Sequence, residues 1–390
     1  MVTREDIREL AQFDSGDADC AISFYFQPPR PKNKSHREEA ILAKDLVRQA
    51  LHEAEKNGRN GWARADLQRV LDLAAALHGN QTRAKAVFAC GSRNIWREFD
   101  LPAQLPATQL FVNRWFHLKP LAVILGAQPH LWLALLDRHR ARFFDLHLDE
   151  LKEREALFHT LPRRGRGDGF AGYDAGHAER SVQDEVRHHF KHVAEYLKQG
   201  QERAAYDRLV IGCQETHWPE FEAQLHPYVK KRLLGHFPAD LGSMSEELLR
   251  RQAGKILADS LERQRRELVS EALAQAKSNR CGVTGLRRVL RSLEMGEVQV
   301  LIMGENYSAH AVECAACGHL DAHIVRDCPV CSRNTRELED VGEAIVLAAI
   351  RRDIELLYVK DDPALDRVGN IAALLRFRAD QSKSGMVAAS

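Results

Sequence analysis

Apolar positions recur along this chain with two periods. In Ala21-Ile22-Ser23-Phe24-Tyr25-Phe26 the aromatic and β-branched residues are nearly continuous until Pro28-Pro29-Arg30-Pro31 stops them, which predicts a strand over 21–26. From His36 to Lys56 the residues Ile41, Leu42, Leu46, Val47, Ala50 and Leu51 return at helical spacing among charges, and Leu67, Val70, Leu71, Ala74 and Leu77 do the same over 65–78. Strands are expected at 84–90, 109–113 and 121–125. Segments 131–137 and 141–146 predict a hairpin with Arg138-His139-Arg140 at its turn. A helix over 178–198, a strand over 208–212 and a helix carrying Phe221, Leu225, Val229 and Leu233 follow. The long charged segment 245–277 has Leu249, Ile256, Leu261, Leu268 and Leu273 on a drifting apolar stripe. After it, helices at 284–295 and 337–352 alternate with strands at 297–303, 354–359 and 371–377. Alternation of this kind predicts an α/β chain, its mixed sheets covered by helices.

The order of elements and the 390-residue length suggest three domains, at 1–126, 127–277 and 278–380, with a small polar tail at 381–390 expected to be disordered. Lys plus Arg (56) nearly cancels Asp plus Glu (55), so any attraction to a polyanion must come from local patches. The first residues carry charges throughout and lack the apolar core of a secretory signal, and runs such as LAVILGA and LWLALL are far too short for a bilayer. A cytoplasmic protein with no membrane partner is expected.

Four of the eight cysteines form one pattern: Cys314-Ala315-Ala316-Cys317, ten intervening residues, then Cys328-Pro329-Val330-Cys331. Two thiolate knuckles of this spacing supply four sulfurs to one tetrahedral Zn2+, and Gly318 stands where a tight knuckle turn uses it. Such a site has no open coordination position, so its role is structural. Cys20, Cys90, Cys213 and Cys281 read as reduced thiols. His177, His188, His189 and His192 crowd the central helix; without an HExxH pattern they read as a solvated or RNA-facing surface. No nucleophile elbow, phosphate-binding loop or dinucleotide fingerprint occurs.

One loop stands out. Arg163, Arg164, Gly165, Arg166, Gly167, Asp168, Gly169, Gly172, Tyr173, Gly176 and His177 form a basic stretch with five glycines in the twelve residues 165–176, running straight into the predicted helix. Glycines give no side chains to a core and are costly to order, while arginine forks suit phosphate. The loop is expected to probe nucleic acid.

With these features in this order, the chain resembles the archaeo-eukaryotic class 1 peptide-chain release factor family, to which Pelota-type rescue factors are related. The resemblance spans about 15–378. It rests on the basic glycine-rich loop and helix (163–197), on Leu286-Arg287-Arg288-Val289-Leu290-Arg291-Ser292-Leu293-Glu294-Met295-Gly296 entering a strand, on the cysteine cluster, and on the closing Gly369-Asn370-Ile371-Ala372-Ala373-Leu374-Leu375-Arg376-Phe377. It implies a three-domain release-factor-like architecture whose C-terminal domain carries a zinc-ribbon insertion. The chain departs from the family at both functional motifs. Gly-Gly-Gln, which positions water against the peptidyl-tRNA ester, occurs nowhere in it, and Asn33-Lys34-Ser35 does not match the stop-codon motif. Loss of both resembles the bacterial branch that includes Balon-like ribosome hibernation factors. The resemblance therefore implies a non-enzymatic occupant of the ribosomal A site that contacts rRNA through the loop, points its N-terminal domain at the decoding centre, and faces a translational GTPase such as elongation factor Tu. The alternative is a divergent peptidyl-tRNA hydrolase in which Tyr173, Asp174 or His177 replaces glutamine.

Overall fold

In a computed structural model of the chain, residues 2–15, 20–27, 36–56, 62–76, 84–101, 105, 107–127, 129–147, 150–158 and 174–379 are described. They fall into two compact units, one of residues 1–127 with 265–390 and one of residues 128–264.

The first unit opens with α1 (Arg4–Gln12). Its start is a reciprocal cap: the Asp6 amide donates to Thr3 Oγ1 and the Thr3 amide donates to the Asp6 carboxylate. Strands β1 (Ala21–Phe26), β2 (Ala84–Cys90), β3 (Ile95–Leu101) and β4 (Gln109–Asn113) form an antiparallel sheet in the order β3-β2-β1-β4. Every residue of β1 is buried because both faces of the sheet are covered. Helices α2 (His36–Lys56) and α3 (Trp62–Ala76) lay Ala43, Val47, Leu67 and Val70 on Ile22, Phe24 and Phe26. Ile41 and Leu42, expected on that apolar face, are exposed. On the opposite face Tyr25 and Phe116 both meet Phe88 edge-on.

Segment 121–125, expected as a strand, lies instead in α4 (Lys119–Ala127). Pro120 suits the first turn of a helix, and the Leu118 and Lys119 amides at its start donate to the carboxylate of Glu343.

The second unit is a five-stranded sheet ordered β7-β6-β5-β8-β9, built from β5 (Leu131–Leu136), β6 (Arg140–His147), β7 (Glu150–Phe158), β8 (Arg208–Cys213) and β9 (Leu233–Pro238). The expected hairpin is β5–β6; Asp137 closes its turn by accepting from the His139 and Arg140 amides. Alternate β5 residues face opposite cores. Trp132, Ala134 and Leu136 pack under Val186, Phe190, Val193 and Leu197 of α5 (Asp174–Glu202), whereas Leu131, Leu133 and Leu135 share a core with Leu249 and Ala253. Gly200 lets α5 approach the sheet closely, since a Cβ there would lie 2.4 Å from the Trp132 ring. The single helix expected around Phe221–Leu233 is two short helices, α6 (Trp218–Gln224) and α7 (Pro227–Lys230), followed by β9. Pro227 starts the second and cannot continue the first.

Helix α8 (Glu246–Lys277) buries Leu249 and Ala253 in the second unit's core and Val269 and Ala272 in the first unit's. Its apolar stripe drifts because its two ends serve different cores.

The remainder of the first unit has β10 (Gly282–Thr284), α9 (Leu286–Glu294), β11 (Val298–Gly304), β12 (Ala311–Cys314), β13 (Leu320–Asp321), β14 (Thr335–Leu338), α10 (Gly342–Arg351), β15 (Glu355–Val359), α11 (Pro363–Asp366) and β16 (Ile371–Leu375). The main sheet runs β10-β16-β11-β15, and β13-β12-β14 form a small separate sheet. Residues 337–338, expected in a helix, pair with β12; the helix begins after Asp340, whose carboxylate accepts from the Gly342 amide. The tail 381–390 lies outside the described residues.

Candidate metal centre and the helix behind the loop

The four cysteines come together through two turns with the same bonding. In the first, the Cys314 amide donates to His319 O (2.8 Å) and the Gly318 amide to Cys314 O (3.0 Å). In the second, the Cys328 amide donates to Arg333 O (2.8 Å) and the Ser332 amide to Cys328 O (2.9 Å). Each turn needs one left-handed residue: Gly318 (φ +71) supplies it without strain, and Ser332 (φ +58) fills the equivalent place.

All four Sγ atoms lie within 4.8 Å of one another, with Cys314–Cys331 at 3.3 Å and Cys317–Cys328 at 3.6 Å. These separations exceed the ~2.05 Å of a disulfide and approach the ~3.8 Å edge of a tetrahedron with ~2.3 Å metal–sulfur bonds. Amides point at the sulfurs, Cys317 N–H at Cys314 and Val330 N–H at Cys328. The Cys317 amide, against the opposing effect of burial, brings the Cys314 thiol down to about 6. Against the lowering effect of the His319 and Arg333 amides, the crowded sulfurs and burial push the Cys317 and Cys331 thiols up, so one thiolate forms first and the others share protons with it. A thiolate at neutral pH is the ligand form a metal needs. The cluster can hold a metal ion.

The knuckles are anchored within the first unit. Arg114 donates to Ala315 O (3.1 Å) and forks onto Asp14 (2.6 and 2.8 Å). Arg336 grips Glu313 (2.7 Å) and lies 4.7 Å over the Trp115 ring, while His319 meets Glu294 of α9 (2.9 Å).

A second cluster left no trace in the sequence. Glu343, buried at the start of α10, accepts from the Leu118 amide (2.5 Å) and the Lys119 amide (3.4 Å) and lies 3.0 Å from His117 Nδ1. Burial pushes Glu343 up to about 7 and His117 down to about 3. The partners are 225 residues apart in sequence, so no local motif could announce them.

Arg163, Arg164, Gly165, Arg166, Gly167, Asp168, Gly169, Gly172 and Tyr173 lie outside the described residues. Gly176 and His177 fall in the first turn of α5, which starts earlier than the expected 178. Farther along α5, His188 and His192 are exposed while His189 is fully buried, a core position not foreseen. Among the described residues the cysteine cluster is the only group of three or more metal-capable side chains brought together.

Residues 117–256, which include the loop and α5, match the sequence model of Bacterial archaeo-eukaryotic release factor family 10. The chain is similar to release factors in that segment and beyond it. Over 297 residues it is 23% identical to peptide chain release factor subunit 1 of Pyrococcus abyssi and 24% identical to that of Thermococcus sibiricus, with 68% of this chain and 70% of each relative covered. It is also similar to solved structures. The crystal structure of archaeal translation termination factor aRF1 matches at 17% identity, covering 96% of this chain and 99% of that one with a TM-score of 0.26. Archaeoglobus fulgidus Pelota matches at 14%, covering 77% and 81% with a TM-score of 0.34. S. cerevisiae Dom34 matches at 9%, covering 77% and 81% with a TM-score of 0.41. No described helix of the chain is long and apolar enough to cross a membrane.

Proposed function

We propose that this protein is a ribosome-binding translation factor that occupies the A site as a release factor does but leaves the peptidyl-tRNA ester intact, holding idle ribosomes in a protected, hibernating state. One observation carries the reading: a release-factor-type segment, residues 117–256, belongs to a chain with no Gly-Gly-Gln anywhere. In this reading Arg163, Arg164 and Arg166 contact rRNA phosphates, and the neighbouring glycines let backbone approach them. Helix α5, held to its sheet by Val186, Phe190, Val193 and Leu197, gives the loop a fixed base. The N-terminal segment faces the decoding side, and a translational GTPase such as elongation factor Tu is the protein partner. The ion in the cysteine cluster is structural Zn2+, whose four thiolates leave no position for substrate.

The test is cosedimentation with 70S ribosomes together with a peptide-release assay. Wild type is expected to pellet with ribosomes without releasing peptide. Replacing Arg163, Arg164 and Arg166 by alanine is expected to weaken binding at least about tenfold and to flatten its salt dependence by about 2 in log–log slope. Failure of the wild type to cosediment overturns the reading. Peptide release that disappears on His177→Ala replaces it with the hydrolase.

A further inference from the structure

At one end of the sheet β10-β16-β11-β15, three connections meet. Leu375 N–H donates to Cys281 O and Arg376 N–H to Glu297 O, which brings residues 279–281, 295–297 and 376–378 side by side. Arg378 fixes this corner by donating to Asn279 O and Oδ1 and to Arg280 O. Phe377, flanked in sequence by Arg376 and Arg378, is 52% exposed, and Met295, two residues before Glu297, is 53% exposed.

Arg280 and Arg376 are exposed at this corner, and the outer face of α9 continues the charge with exposed Arg287, Arg288 and Arg291. From Arg287 to Met295 the helix rises about 12 Å, so the arginines form a track leading to the exposed ring. None of these five side chains has a carboxylate partner among the described residues. Elsewhere in the unit arginines are paired, as at Arg8, Arg97, Arg114 and Arg336. Two acids of the same segments are engaged elsewhere. Glu297 is buried, accepting from Ser292 Oγ (2.8 Å) and the Ala379 amide (2.7 Å), and Glu294 meets His319. In a chain whose cations and anions nearly cancel, this concentration of unpaired arginine is local and uncompensated.

We propose that this face is a second RNA-binding surface, separate from the glycine-rich loop, that takes an unpaired RNA segment: Arg287, Arg288 and Arg291 hold its phosphates, and Arg280, Arg376 and Phe377 hold a phosphate and a stacked base at its end. Planar guanidinium forks match phosphate in two-pronged geometry. One exposed ring flanked by arginines offers a stacking platform that any base fits. A ring flanked by guanidinium groups suits a base and its phosphates together, which sets RNA above an acidic protein. The surface lies in the unit that does not contain the loop, and its occupancy does not depend on the A-site reading.

The experiment titrates the full-length protein into a fluorescein-labelled 12-nucleotide oligouridylate, read by anisotropy at several salt concentrations. It is run in the background where Arg163, Arg164 and Arg166 are alanine, so that loop binding does not contribute. In that background the native face is expected to bind. Replacing Arg287, Arg291 and Arg376 by glutamine is expected to weaken binding at least about tenfold and to lower the log–log salt slope by about 2. Lysine at the same positions restores the slope, which separates lost charge from any change in folding. Phe377→Ala is expected to weaken binding about tenfold with the slope unchanged. Absence of oligouridylate binding by the native face, or equal binding by the glutamine variant, overturns the proposal. So does poly-glutamate binding as tight as RNA binding and insensitive to Phe377→Ala, which identifies a docking face for an acidic protein. Ribosome cosedimentation of the same proteins is scored separately, so loss of the A-site reading leaves this result standing or falling alone.

Discussion

Glu343 occupies a position where burial and hydrogen bonding oppose each other. Its ordinary value is 4.5 and its folded value about 7, so the stability it contributes is complete below pH 4.5 and is lost as pH rises through 7. His117 runs the other way: ordinarily 6.5 and about 3 when folded, it contributes stability that is complete above pH 6.5 and lost as pH falls through 3. Between pH 4.5 and 6.5 the slopes cancel, because the folded pair keeps a proton on glutamate where the unfolded chain keeps one on histidine. Glu343→Gln removes one slope. Denaturant unfolding of variant and native protein at pH 4.5 and pH 8 is expected to differ in the variant's favour by up to about 3 kcal/mol more at the higher pH. A stability difference that stays constant between those two values contradicts this account. No spacing rule could have revealed the pair, since what shifts both groups is a burial that exists only once the chain has folded.

Among the elements, those whose geometry is written locally were legible. The aromatic run of β1 is continuous because both of its faces are covered, and the Asp137 turn closes its hairpin with its own carboxylate. The cysteine cluster was legible for a chemical reason: two close pairs of thiols at this spacing can supply four ligands to one ion, and the four sulfurs do come together. Segment 121–125 was misread because a half-buried helix, apolar on most sides, shows the same continuous run as a buried strand, and what fixes α4 is a carboxylate far along the chain. The strand β14 hides in a polar stretch because only its pairing with β12 makes it one. Elemental analysis is expected to find about one zinc per chain, reduced in Cys317→Ser and Cys331→Ser. Chelation is expected to speed amide exchange across 311–338 while leaving that of β5 unchanged. Exchange in 311–338 that ignores chelation would show that the turns hold without the ion.

At the scale of the whole molecule, the first unit is assembled from two stretches of chain separated by the second. Arg351 donates to Ala11 O (2.6 Å), Arg114 reaches Ala315 O, and α4 begins on Glu343. Removing residues 1–127 takes away every partner on one side of these contacts. Such a chain is expected to keep slow amide exchange in β5 and β8, whose sheet is complete within 128–264, and to lose it in α10 and β15. Slow exchange retained in α10 would mean that the later stretch folds by itself.

That assembly sets an order of events during synthesis. The Leu118 amide leaves the ribosome 225 residues before its partner Glu343, a wait of about 10 to 45 s at ordinary elongation rates of about 5–20 residues per second. Throughout that interval the second unit can complete its sheet, whereas Leu118, fully buried in the finished protein, awaits α10, whose Glu343 accepts from its amide. The nascent chain therefore carries an uncovered apolar surface around Leu118 until the segment of Glu343 is made, and chaperone demand should concentrate there.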